Sequence, residues 1–119
     1  MASTDELCEA FAEWRSRSNA NPRLRKMVKG WDRVVHFTTT DTGQGFTMTV
    51  EAQELSELVV GHQGQPDVVV TGTSEDFCDM FWGDLNPLEK YMSGEITLAG
   101  SQQDVLRIDA ISMVAFLDT

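Results

Sequence analysis

The run Thr71-Gly-Thr-Ser-Glu-Asp-Phe-Cys-Asp-Met-Phe-Trp-Gly-Asp-Leu-Asn-Pro-Leu-Glu-Lys-Tyr-Met-Ser-Gly-Glu-Ile-Thr-Leu-Ala-Gly100 reads as strand end, helix, turn, helix, strand. Ser74 suits an N-cap, and Glu75 and Asp76 follow in the first turn, where the helix dipole favours acids. Phe77, Met80 and Phe81 recur at i, i+3 and i+4, with Cys78 and Trp82 widening the stripe. Gly83 stops this helix, Asn86 caps the next with Pro87 at its first position, and Gly94 ends it. Ile96 and Leu98 then alternate with Glu95 and Thr97 as a half-buried strand. Both helices are shorter than ten residues, yet they carry Phe77, Met80, Phe81, Trp82, Leu85, Leu88, Tyr91 and Met92. Helices this short are not stable alone, so they require a sheet beneath them. Met and aromatic side chains suit ordinary helix-on-sheet core first; the sharper alternative is a deformable apolar pocket.

In its ordered elements this run resembles the sterol carrier protein type-2 domain, the nonspecific lipid-transfer module. The resemblance lies in the strand run Asp67–Gly72, the helix start Ser74–Asp76, the apolar helix closing on Gly at Phe77–Gly83, Asn86-Pro87, Met92–Gly94 and the strand Ile96–Gly100. It spans roughly the second half of the chain; the first half fits in length and element order. It implies an apolar tunnel between the sheet and the C-terminal helices, with the last helix as its lid.

Working outward, Ser3 and Glu6 form a capping box ahead of an amphipathic helix marked by Leu7, Ala10, Phe11 and Trp14, reaching about Ser18. Asn19–Pro22 is a break, and Arg23 to Lys29 form a second short helix with Leu24, Met27 and Val28 inward. Val35, Phe37 and Thr39 alternate with Val34, His36 and Thr38; Phe46, Met48, Val50 and Ala52 alternate with Thr47, Thr49 and Glu51 across an Asp41–Gly45 turn. Period two of this kind predicts a sheet with one covered and one wet face, which places His36 on the wet side. Leu58 and Val60 mark a third strand, Gly61–Pro66 a loop, and Val68–Val70 a more buried strand. The fold class expected is α+β: one domain over residues 1–119, a mixed, largely antiparallel sheet of about five strands, helices on one face, and a C-terminal lid helix.

That last helix starts at Ser101 as N-cap, with Asp104 in its first turn. From Val105 to Leu117 only Arg107, Asp109 and Ser112 are polar, and they spread around the axis. A helix apolar nearly all round needs cover on more than one side. It is jammed between sheet and short helices, or forms a homodimer face, or lines a ligand cavity.

The net charge of −10 argues against nucleic acid as partner. Residues 1–33 hold seven of the nine basic side chains and five acids, net +2; the other 86 residues hold Lys90 and Arg107 against fourteen acids, net −12. The cluster in segment 15–33 (Arg15, Arg17, Arg23, Arg25, Lys26, Lys29, Arg33) is either a solvated face with cations at helix ends, or a transient docking patch for a membrane or an enzyme. Cys8 and Cys78 are far apart with no His at ligand spacing, so neither a disulfide framework nor a metal site is expected, and free thiols suit a reducing, cytoplasmic setting. The C-terminal Phe116-Leu-Asp-Thr119 does not match the peroxisomal address that some members of the resembled family carry, which also favours the cytoplasm.

No nucleophile elbow, phosphate loop, dinucleotide fingerprint or zincin motif is present, and His36 and His62 read as surface histidines. The expectation is therefore binding without catalysis and without a cofactor. On the tunnel reading, the ligand contacts expected are Phe77, Met80, Phe81, Trp82, Leu85, Met92, Ile96, Leu98, Leu106, Ala110, Met113 and Leu117, with Tyr91, Trp82 and Ser93 as polar handles. The partner is a hydrophobic small molecule or lipid: a fatty acyl chain, a sterol-like molecule or another lipid. Each buried methylene contributes about 0.8 kcal/mol, so roughly twelve carbons offset the ordering cost at micromolar affinity or better. Two alternatives stand beside a carrier. One is an accessory protein presenting a hydrophobic intermediate to a lipid, quinone or steroid enzyme; the other is a dimerisation module without ligand.

Overall fold

A computed structural model describes residues 1–118; Thr119, the last residue of the expected domain, lies outside them. The element order is α1 (Thr4–Ala20), α2 (Pro22–Met27), β1 (Arg33–Thr39), β2 (Gly45–Glu51), β3 (Glu54–Leu55), β4 (Val59–Val60), β5 (Val68–Gly72), α3 (Ser74–Trp82), α4 (Pro87–Ser93), β6 (Thr97–Gly100) and α5 (Gln102–Leu117). The sheet runs β3-β2-β1-β5-β6, with β4 also on β2. Among the described residues only the β1–β5 pair is parallel. The mixed, largely antiparallel sheet under helices is thus the architecture expected, with six strands instead of five.

The extra strand arises at the β2 edge. The chain reverses at Ala52 and Gln53, both at positive φ (51° and 64°), and this makes β3 where the alternation suggested that β2 continued to Ala52. Ser56 interrupts the returning strand: its Oγ accepts from the Thr49 N–H at 2.9 Å, and β4 resumes only at Val59.

Register puts Val35 beside Met48 and Val68, and Phe37 beside Phe46 and Val70, so one face of the sheet is continuously apolar. The helices cover it. Phe11 and Trp14 of α1 and Phe77 and Phe81 of α3 meet Phe37 in an aromatic cluster: Phe11–Phe81 at 5.1 Å and Phe37–Phe77 at 5.5 Å, both edge to face. Edge-to-face pairs add about 0.5–1.5 kcal/mol each beyond their area.

The helix ends follow the expected chemistry with one correction. The capping box at Ser3 and Glu6 is present, Asn86 and Ser101 cap α4 and α5, and Gly83 and Gly94 stop α3 and α4 at φ 87° and 78°. The α3 cap, however, is Thr73, whose hydroxyl accepts from the Asp76 N–H at 3.2 Å. Ser74 instead donates its hydroxyl to Asp41 Oδ2 at 2.6 Å and accepts from the Ala2 N–H at 2.9 Å, tying the N-terminus and the β1–β2 turn to α3.

A second correction concerns the outer face. His36 is only 5 % exposed. The loop after β4 folds back over the sheet and covers it. The His62 ring stacks on His36 at 4.5 Å and 3°, His36 Nε2 meets Gln63 O at 2.9 Å, and Thr47 donates to Gly61 O at 2.7 Å. Gly45 makes room, because a Cβ there would lie 2.6 Å from His62 Nε2.

Candidate functional site

Between the covered face of the sheet and the helices lies a largely enclosed apolar void of about 20 Å³. Its floor is Phe37 of β1, Met48 and Val50 of β2, Leu55 of β3 and Val70 of β5. Trp14 of α1, Met80 of α3, Tyr91 of α4, and Ile108, Ile111 and Ser112 of α5 close it from above. It has room for about one water.

The polar atoms on the wall form one chain. Tyr91 Oη donates to Ser112 Oγ at 2.8 Å, and Ser112 Oγ donates to Ile108 O at 2.8 Å. Burial pushes the Tyr91 hydroxyl up to about 12, the Ser112 hydrogen bond only partly opposing it and Asp109 adding to it. Tyr91 therefore stays neutral over any physiological pH.

Tyr91 also faces outward. With Ile96, Thr97, Leu98, Val105 and Asp109 it lines an open groove of about 330 Å³ between α4, β6 and α5. Asp109 Oδ1 is buried there without a hydrogen-bond partner.

The start of α5 is held on both flanks. Asp104 accepts from Trp31 Nε1 at 2.9 Å and from Arg33 Nε at 3.1 Å. Arg107 donates to the Met27 carbonyl, and its guanidinium lies 5.7 Å over the Trp31 ring.

Of the expected ligand contacts, the structure places Met80 alone on the void. Phe77, Phe81 and Ile96 are buried in the core, with Leu85 packed against it. Leu98 joins Ile96 on the outer groove. Trp82 is 39 % exposed and Met92 79 %. Leu106 and Leu117 are 58 % and 66 % exposed, and with Ala110 and the partly covered Met113 they form the outward stripe of α5. Leu106 and Ala110 border a second open groove with Lys26, Met27, Gln103 and Arg107. Among the polar handles, Tyr91 reaches the void, whereas Ser93 donates to Lys90 O at 3.1 Å. The reason for the shift is α1: it covers the α3 aromatics, so the space that remains lies farther along the sheet, under α4 and α5. The lining residues of the first half, Trp14, Phe37, Met48 and Val50, carried a signal as inward positions of their helix or strands; Leu55 carried none.

The basic cluster is largely consumed by the fold. Arg15 donates to Leu55 O at 2.8 Å and Arg17 to Phe81 O at 2.7 Å. Arg23 pairs with Asp118, Arg25 with Glu54 and Arg33 with Asp104, while Lys26 and Lys29 are exposed. Burial raises both thiols, Cys8 and Cys78, with Asp5 and Asp79 adding to it, which keeps them weakly nucleophilic. Among the described residues, no group of three His, Cys, Asp or Glu is placed to hold a metal, and no helix is long and apolar enough to cross a membrane.

A family model described as the SCP-2 sterol transfer family matches residues 11–112. No curated protein matches the chain. Among solved structures, one described as UbiJ-SCP2, a ubiquinone synthesis protein, is 14 % identical with a TM-score of 0.70, covering 92 % of this chain and 94 % of that one. Sterol carrier protein domain 2 of Helicoverpa armigera is 17 % identical with a TM-score of 0.66, covering 97 % and 93 %. Palmitated SCP2L2 from Aedes aegypti is 17 % identical with a TM-score of 0.62, covering 93 % and 95 %. At such identities the structural likeness shows the fold.

Proposed function

The chain belongs to the SCP-2 sterol transfer family, and from that membership we propose that it carries a hydrophobic molecule in an apolar tunnel between sheet and helices, binding and releasing it without chemical change. The observation that carries this reading is the void itself. It lies between the sheet and α4 and α5, its walls are apolar, and its single polar chain is the Tyr91–Ser112 pair. Its size of about 20 Å³ holds about one water, so on this reading the cavity must widen to take a lipid chain. A lipid enters by parting the helices from the sheet. α4 has seven residues and no stability of its own, so its position rests on a few contacts that a ligand replaces. Met48 and Met80 supply walls that re-form around different shapes. Broad specificity for the apolar part of the ligand follows.

The test is solvent extraction of the purified protein followed by mass spectrometry, with a titration of stripped protein followed through tryptophan emission, since Trp14 lies on the void. Co-purified lipid and a saturable change in emission are expected. Absence of both would remove the carrier reading.

A second reading is favoured by the outward stripe of α5. The exposed Leu106 and Leu117 offer an apolar strip to a protein partner. On this reading the chain presents its hydrophobic cargo to an enzyme, and the likeness to a structure described as a ubiquinone synthesis protein supports an enzyme of a quinone or lipid route. Capture of such an enzyme by the wild-type chain, and its loss on Leu106→Asp, is the expected result.

A further inference from the structure

Resting on the carrier reading above, we infer that the groove between α4, β6 and α5 is the mouth of the void, that Tyr91 is the plug between them, and that Asp109 makes this mouth select a lipid ending in a neutral hydrogen-bond donor, an alcohol or phenol, over one ending in a carboxylate. Tyr91 is the one residue on both the void and the groove, so moving its ring joins the two. The rest of the groove wall is Ile96, Leu98 and Val105, an apolar path for a chain.

The side-chain atom buried without a partner at this point is an acceptor. Asp109 Oδ1 is buried and unpartnered, and a buried acceptor left so is penalised until a donor reaches it. With the plug in place Tyr91 donates to Ser112 and Ser112 to Ile108 O; moving the ring frees the phenol to donate or accept, so the selection rests on Asp109 alone. A ligand hydroxyl donates to Asp109 Oδ1 and removes the penalty there. A carboxylate has no proton to give, and it meets the Asp109 charge. The cation that would rescue it is taken: Lys90, the one basic residue of α4, is held by Glu95 at 2.7 Å and Asp76 at 3.4 Å. Thr97, the remaining polar side chain of the groove, stands at its exposed rim.

The experiment compares dodecanol with dodecanoate on the full chain stripped of lipid, at neutral pH, by tryptophan emission and by isothermal titration. The wild-type chain is expected to bind dodecanol about tenfold more tightly or better, the order of a like-charge penalty partly screened by water. Asp109→Asn, whose amide donates as well as accepts, is expected to tighten dodecanoate and close most of that gap. Val105→Phe, which narrows the groove, is expected to slow dodecanol association, whereas Ala12→Phe, in the separate groove beside α1, leaves the rate unchanged. Equal affinities in the wild-type chain, or a ratio unmoved by Asp109→Asn, overturn the selectivity while leaving a carrier. Slowing by Ala12→Phe and not by Val105→Phe overturns the mouth. Binding of neither ligand, with no lipid extracted from the purified chain, overturns the carrier reading with it. The wild-type comparison needs no variant to fold.

Discussion

Asp104 sits in the first turn of α5, where its backbone N–H is capped by Ser101 and its carboxylate gathers Trp31 and Arg33. Burial alone would raise this carboxyl, but the hydrogen bonds from Trp31 and Arg33, the guanidinium charge and Ser101 together outweigh it and hold the group below its ordinary value of 3.8. A carboxyl depressed in the folded state contributes stability that is fully present above the unfolded value and is lost as the pH falls through the folded one. Asp104→Asn is therefore expected to cost about 1.5–3 kcal/mol at neutral pH, the range for hydrogen bonds to a charged group. In urea melts of both chains the difference should shrink below pH 4, and a difference that stays constant with pH would contradict the assignment. At this scale the sequence was partly readable. The Ser101 cap and the acid in the first turn were legible because capping is local. The partners Trp31 and Arg33 were not, because they lie some seventy residues away and only folding brings them to Asp104. His36 failed for the same reason: alternation gives a side chain's face, and a loop laid over that face is a long-range event.

The C-terminal helix separates two kinds of apolar residue. Ile111 is 2 % exposed and faces the void, while Leu106 points outward. Ile111→Asp buries an unpaired charge and is expected to cost more than about 4 kcal/mol, enough to unfold the domain. Leu106→Asp is expected to shift stability by no more than about 0.5 kcal/mol. Thermal melts of the two variants check the contrast, and sedimentation of Leu106→Asp against the wild-type chain reads whether the stripe joins two copies. Helix periodicity alone did not give this division, since the three polar residues of α5 leave no clean wet stripe. The neighbours decide it: Ser112 turns inward because Tyr91 and the Ile108 carbonyl satisfy it, and Arg107 lies along α2 because the Met27 carbonyl accepts from it.

At the scale of the whole molecule, the carrier reading predicts that a bound ligand stabilises the fold. Dodecanol at a hundred times its dissociation constant should raise the unfolding free energy by about 2.7 kcal/mol, which a shift in thermal midpoint measures; no shift under conditions of demonstrated binding would mean that the ligand sits on the surface of folded and unfolded chain alike. The caps at Ser3, Asn86 and Ser101, the stops at Gly83 and Gly94, the strand alternation of β1 and β2 and the ordered run from Thr71 to Gly100 are local signals, and by themselves they determined an α+β domain with helices over one face of a mixed sheet. Where the space lies was decided only by tertiary structure. The packing of α1 on α3 turns the most conspicuous aromatics, Phe77 and Phe81, into solid core, and what stays unfilled is bounded by Trp14, Phe37, Tyr91 and Ile111, residues distant in sequence. A cavity is the volume that side chains fail to fill, and that difference exists only once all the walls are in place.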